Sequence, residues 1–99
     1  FNNLVGLASA RAVAGDDAGA ADLFIRALQE RPNAAWIHRN LAPALYGAGR
    51  LAEARASLAK LLVAHPGITI RKYREAMVFS PDTLDRMAAQ MRALGIPEE

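Results

Sequence analysis

Few residues in this chain could do chemistry, and none stands where a second could help it. The only histidines are His38 and His65, and neither has neighbouring His, Asp or Glu residues at metal-ligand spacing. Cysteine is absent, which removes disulfides and thiolate ligands and agrees with a reducing compartment. Asp16 and Asp17 are adjacent acids, but they follow Gly15 in a turn with no His or Lys beside them. No Ser/His/Asp order and no glycine loop that could cradle a phosphate occurs. The sequence therefore predicts no catalytic residue, no cofactor and no metal.

Residue types suited to binding another protein are better placed. Over 35–47 the chain reads as a helix. At 100° per residue, Ile37, Leu41, Ala44, Leu45 and Ala48 fall on one side, and Trp36, Arg39, Pro43 and Tyr46 fall on the other. Trp, Tyr and Arg are the types most enriched in binding hot spots. Two readings stay open: these residues face a partner, or Trp36 and Tyr46 pack against other helices of the same chain. Pro43 breaks a local rule, because a proline inside a helix removes one backbone donor and leaves the Arg39 carbonyl free or the helix kinked.

Charge excludes one class of partner. Twelve Lys and Arg stand against ten Asp and Glu, a net charge of +2. Nucleic-acid binding requires basic residues gathered on one face. Here only Arg71, Lys72 and Arg74 cluster, and Glu75 follows them directly, so they read as a solvated helix face. No apolar run approaches the ~20 residues that span a bilayer, and no signal peptide is visible.

The elements that must position these residues are helices throughout. The chain has 99 residues, 53% hydrophobic and only 6% aromatic, and much of the apolar content is Ala, which favours closely packed helices. Helices are expected near 3–14, 18–30, 35–47 and 52–64. Gly15-Asp16-Asp17 and Gly47-Ala48-Gly49-Arg50 form the turns, and Pro32-Asn33 and His65-Pro66-Gly67 form the breaks. A short fifth helix carries Ile70, Tyr73 and Met77. A sixth starts at Ser80-Pro81-Asp82, shows an apolar stripe of Leu84, Met87, Met91 and Leu94, and stops at Gly95 and Pro97.

A block recurs within this series at a spacing of 34 residues. Leu7, Ala8, Ala10, Ala14, Gly15, Ala20, Leu28 and Pro32 return as Leu41, Ala42, Ala44, Ala48, Gly49, Ala54, Leu62 and Pro66. Spacing and residue types resemble the tetratricopeptide repeat. The resemblance implies an all-α helical array of two repeats, over 1–34 and 35–68, closed by a capping helix pair over 69–99. It also implies that the non-core side of each first helix lines a concave groove for a protein partner. That places Trp36, Arg39, Pro43 and Tyr46 in the groove, with Asn2, Val5 and Ser9 as their first-repeat neighbours. His38 occupies a position where the family usually packs a large aromatic.

One specialisation of the family grips carboxylate tails with Lys, Asn and Arg on successive first helices. Asn40 and Arg74 fall at matching places, but Val5, Ser9 and Ile70 replace required polar residues, so that clamp is incomplete. The segments Trp36–Ala42, Gly49–Arg55 and His65–Ile70, with Phe79, Pro81 and Leu84 after them, resemble the carboxyl-terminal repeats of certain bacterial signalling proteins. Those proteins begin with a class III nucleotide cyclase or a winged-helix domain. The resemblance implies a cytoplasmic, non-enzymatic module for protein–protein interaction or oligomerisation. The chain opens on Phe1 already inside the repeat register, so it is expected to be the end of a longer protein, with an apolar edge that favours self-association. The competing readings are a small-ligand or enzyme-associated helical domain, and a structural spacer.

Overall fold

A computed structural model describes all 99 residues. Six α-helices follow in order: α1 (Asn2–Val13), α2 (Asp17–Glu30), α3 (His38–Gly47), α4 (Leu51–Ala64), α5 (Ile70–Ala76) and α6 (Pro81–Ala93), with a single 3₁₀ turn at Ala35–Ile37 leading into α3. There is no strand, and no helix is long and apolar enough to cross a membrane.

The sequence repeat is reproduced in the backbone. Gly15 and Gly49 adopt left-handed angles, φ 85° and 79°, which a side chain would make costly. Each ends a helix the same way. The Asp16 amide donates to the Arg11 carbonyl and the Arg50 amide to the Leu45 carbonyl, both at 2.9 Å. The carbonyls left free at the last turn of α1 and α3 are satisfied by this reversal. Asp16 then caps α2, accepting from the Gly19 amide at 2.9 Å.

Within each repeat the two helices meet over alanine. Ala8 and Ala20 in the first pair, and Ala42 and Ala54 in the second, have no exposed surface. Phe24, Ala27 and Leu61 are equally enclosed. Removing a phenyl ring of that size from water contributes roughly 1.5–3 kcal/mol. Helix α2 packs on α3, so the pairs stack. Equivalent positions show the difference a neighbour makes: Leu41 is 3% exposed beneath α2, whereas Leu7 is 57% exposed. Leu7 stays bare because no helix of the chain covers that side of α1.

The terminal pair does not continue the stack on the outer side of α4. Its principal contacts are with α3 and within the pair, and Val63 on α4 remains almost fully exposed. Helix α6 turns back across α3, burying Thr83, Met87, Ala88 and Met91. After Gly95, at φ 106°, the tail reverses. The Ile70 amide donates to the Pro97 carbonyl at 2.8 Å and the Arg71 amide to that of Glu98 at 3.2 Å. The tail thus satisfies donors that the first turn of α5 leaves open.

Candidate functional site

The face of interest is the side of α3 turned away from Leu41 and Leu45. Pro43 lies at its middle and has no N–H, so the carbonyl of Arg39, one turn earlier, loses its helical donor. The Tyr73 hydroxyl takes that place, donating to the Arg39 carbonyl at 2.8 Å. Tyr73 is wholly buried, and burial pushes its phenol far above the usual range, with the nearby Arg39 charge pulling weakly the other way. The proline does not break α3. Instead it creates an acceptor that fastens α5 to it.

Further along the same face, α6 is held by a charged cluster. Arg86 donates to Asp17 Oδ1 at 2.9 Å, Gln90 donates to Asp17 Oδ2 at 3.1 Å, and Arg86 also donates to the Ala12 carbonyl. The Asp17 side chain is only 15% exposed. Its position in the first turn of α2 suits a negative charge, because the free amides of a helix start favour one. Gly47 closes the cluster from α3: a Cβ added there would overlap the Asp17 carboxylate and stand 2.7 Å from Gln90 Nε2. Four helices, α1, α2, α3 and α6, meet at this point.

The groove expected from the sequence is therefore divided. At its turn end α6 lies over it, and Pro43 is fully buried. The placement of Pro43 on an open surface is thus corrected, since the face it occupies is covered by helices of the same chain. Tyr46 is half-buried against the core. Arg74 forms an ion pair with Asp85 at 2.8 Å, linking α5 to α6. At the other end the face stays open. Asn2 is exposed, Val5, Ser9 and Arg39 are half-buried, and Trp36 keeps 39% of its surface. The Trp36 ring stands edge-on to Phe1 with centroids 6.0 Å apart, and the Arg31 guanidinium lies 4.5 Å over the Phe1 ring, an arrangement that favours the cation. Packing and exposure are thus both present in the predicted set, distributed along the face.

The histidines behave differently from one another. His38 is buried, and its Nδ1 shares a 2.7 Å hydrogen bond with Ser57 Oγ. Burial lowers its pKa, and the Lys60 charge adds to the effect. His65 is exposed at the end of α4. No three His, Asp or Glu side chains converge on a point where a metal could sit. A cleft of about 510 Å³ opens between α2 and α4, with His38 and Ser57 in its lining; it is distinct from the Pro43 face.

Sequence reasoning did not find Asp17, Tyr73, Arg86 or Gln90. A signal existed for Asp17: a helix start needs one capping acid, and two stand there, so the second was free for another use. Arg86 and Gln90 are also four residues apart, which places them on one side of α6.

Register-matched helix pairs with a face built on their first helices define a helical-repeat protein. The tetratricopeptide repeat profile matches residues 14–77, well over half the chain, and the chain belongs to that family. Comparisons with curated proteins and with solved structures gave no match.

Proposed function

We propose that this chain is a non-enzymatic protein–protein interaction module whose partner docks on the open end of the first-helix face, with Trp36 at the centre and Asn2, Val5, Ser9 and Arg39 around it. Repeats of this family usually bind proteins. The observation that carries the specific reading is the exposure of Trp36, a large aromatic left partly bare at the edge of the Phe1 ring. Aromatic anchors of this kind supply most of the affinity at interfaces. Trp36 is also the only tryptophan, so its fluorescence reports docking directly. Partner addition should shift its emission, and Trp36→Ala should abolish capture while leaving the melting temperature nearly unchanged. Equal capture by wild type and Trp36→Ala refutes this surface.

The parent in this proposal is a cytoplasmic bacterial signalling protein, with a nucleotide cyclase favoured, and the module acts as its regulatory carboxyl-terminal part. The segments at Trp36–Ala42, Gly49–Arg55 and His65–Ile70 support this reading. The coding sequence ahead of Phe1 tests it: a cyclase or winged-helix domain there is expected, and an unrelated domain rejects it. Self-association belongs to the same proposal, through the α1 side that bears exposed Leu7. Light scattering over a concentration series should show mass increasing, and a monomer throughout refutes it.

A further inference from the structure

The cleft between α2 and α4 has apolar walls and a polar pair set into them. Ile25 and Leu28 of α2, Leu41 and Leu45 of α3 and Ala56 of α4 supply the apolar lining. Its volume of about 510 Å³ falls in the range of small-molecule sites. Short side chains hold it open, for Ala56 and Ser57 stand one repeat on from Asp22 and Leu23. Glu53 and Lys60, one of each sign, are the only charged residues in the lining, and both are exposed.

The polar pair is His38 and Ser57, which are 5% and 4% exposed. Burial and the Lys60 charge lower the pKa of His38, so the ring is neutral at pH 7.5. A neutral imidazole and a hydroxyl carry two hydrogens between them. Their mutual 2.7 Å bond uses one, and neither side chain has another hydrogen-bond partner in the protein. One donor is therefore left over whichever way that bond runs. Nε2 is the atom placed to bear it. It has no protein partner, yet the one side-chain nitrogen closed to solvent without a partner is Arg39 Nε, so Nε2 is reached from the cleft that His38 lines. Ser57 then donates to Nδ1, and Nε2 keeps the second hydrogen.

We propose that this cleft binds an uncharged, mainly apolar molecule through a carbonyl oxygen that accepts from His38 Nε2. A carbonyl accepts and does not donate, which matches the single hydrogen left over. The walls take the hydrocarbon body and supply most of the affinity. The hydrogen bond fixes orientation, since a donor withdrawn from water without an acceptor is costly. No buried cation lines the cleft to hold an anion. The site shares no residue with the Trp36 surface and does not depend on a protein partner there.

The test uses the whole 99-residue chain at pH 7.5 with three probes of one shape: benzylacetone, butylbenzene and hydrocinnamate. Nitrogen-edited NMR should show His38 protonated at Nε2 and bare at Nδ1 before any ligand is added. Benzylacetone should shift the Nε2–H resonance saturably, whereas butylbenzene should move the Ile25 and Leu28 methyl signals and leave Nε2–H in place. The double variant His38→Phe/Ser57→Ala removes the donor together with its partner. It should weaken benzylacetone about fivefold, the worth of one hydrogen bond, and leave butylbenzene within about twofold. Should that variant fail to fold, Ala56→Phe decides: it enlarges an exposed residue of the lining, and both neutral probes should cease to bind. Protonation at Nδ1 alone, no shift of Nε2–H with the ketone, tighter binding of hydrocinnamate, or undiminished binding to Ala56→Phe overturns the proposal.

Discussion

Tyr73→Phe is the sharpest perturbation of the fold. It removes one oxygen from a ring that is wholly buried and leaves its packing in place. The lost bond is the 2.8 Å link to the Arg39 carbonyl, whose helical donor Pro43 has already removed. A buried acceptor left without a partner costs about 1–3 kcal/mol. For a domain of this size each kcal/mol lowers the melting temperature by about 4–8 °C, so a fall of about 10 °C is expected. The decisive measurement is a double-mutant cycle with Pro43→Ala, followed by circular dichroism during urea unfolding. Alanine at position 43 restores an N–H that can reach the Arg39 carbonyl. In that background Tyr73→Phe should cost under about 1 kcal/mol, giving a coupling of about 1 kcal/mol or more, within the range for residues in contact. The stability change of Pro43→Ala itself cancels from the cycle, which matters because that variant gains helix propensity and loses buried ring surface. An equal cost of Tyr73→Phe in both backgrounds would mean that the hydroxyl does not replace the proline's missing donor.

Other outcomes follow from the same geometry. Because His38 is held below its ordinary pKa of 6.5 by burial, the unfolded chain binds its proton first as pH falls. Its contribution to stability is therefore complete above about pH 6.5 and declines as pH drops below it; urea midpoints at pH 7.5 and 5.5 should differ, and His38→Gln should flatten that slope. Gly47→Ala should destabilise the chain by about 1–3 kcal/mol through overpacking against Asp17, less the roughly 1 kcal/mol that alanine gains in a helix. Gly6→Ala, where an added Cβ meets nothing within 4 Å, should stabilise it, and thermal melts of the two variants should move in opposite directions. Arg86→Met removes the bonds of α6 to Asp17 Oδ1 and to the Ala12 carbonyl, keeps that of Gln90, and leaves a partly buried Asp17 without its cation, so amide exchange in α6 should accelerate at least tenfold while that of α2 and α4 changes less. Trp36→Ala should stay within about 0.5 kcal/mol of wild type, since the ring is partly exposed; a loss of 3–5 kcal/mol would identify it as core.

The parts of the fold that were legible are those set by local spacing. Ala8, Ala20, Ala42 and Ala54 stand out in the sequence by their recurrence, and all four are fully enclosed where the helices of each pair meet. Gly15 and Gly49 were placed in turns, and both have the positive φ that turns of this kind require. Even the free Arg39 carbonyl was readable, because it follows from the absence of a proline N–H. What fills it was not, since Tyr73 lies a full repeat away and its own helix offers only a weak apolar pattern. The turning-back of α6 was hidden for the same reason. It rests on Arg86 and Gln90 meeting Asp17 across the length of the chain, and no periodicity records a pairing so distant. Leu7 and Leu41 show the converse limit: identical residues at equivalent positions, one bare and one buried, because burial depends on the neighbour and the repeat specifies only the position.

The docking of α6 has a kinetic and thermodynamic consequence for anything that competes for its place. Helix α6 is joined to α5 by the short segment Met77–Ser80, and a tether of that length keeps a displaced helix at an effective concentration on the order of millimolar. If the helix is released about 1% of the time, a competitor binds about a hundredfold more weakly than its intrinsic affinity for the bare face. A ligand confined to the Trp36 end avoids that competition altogether. Under the proposed docking reading, the Trp36 end is freely available and the end beneath α6 is self-inhibited, so a mutation that loosens Arg86 from Asp17 would raise affinity at the second without touching a single ligand contact.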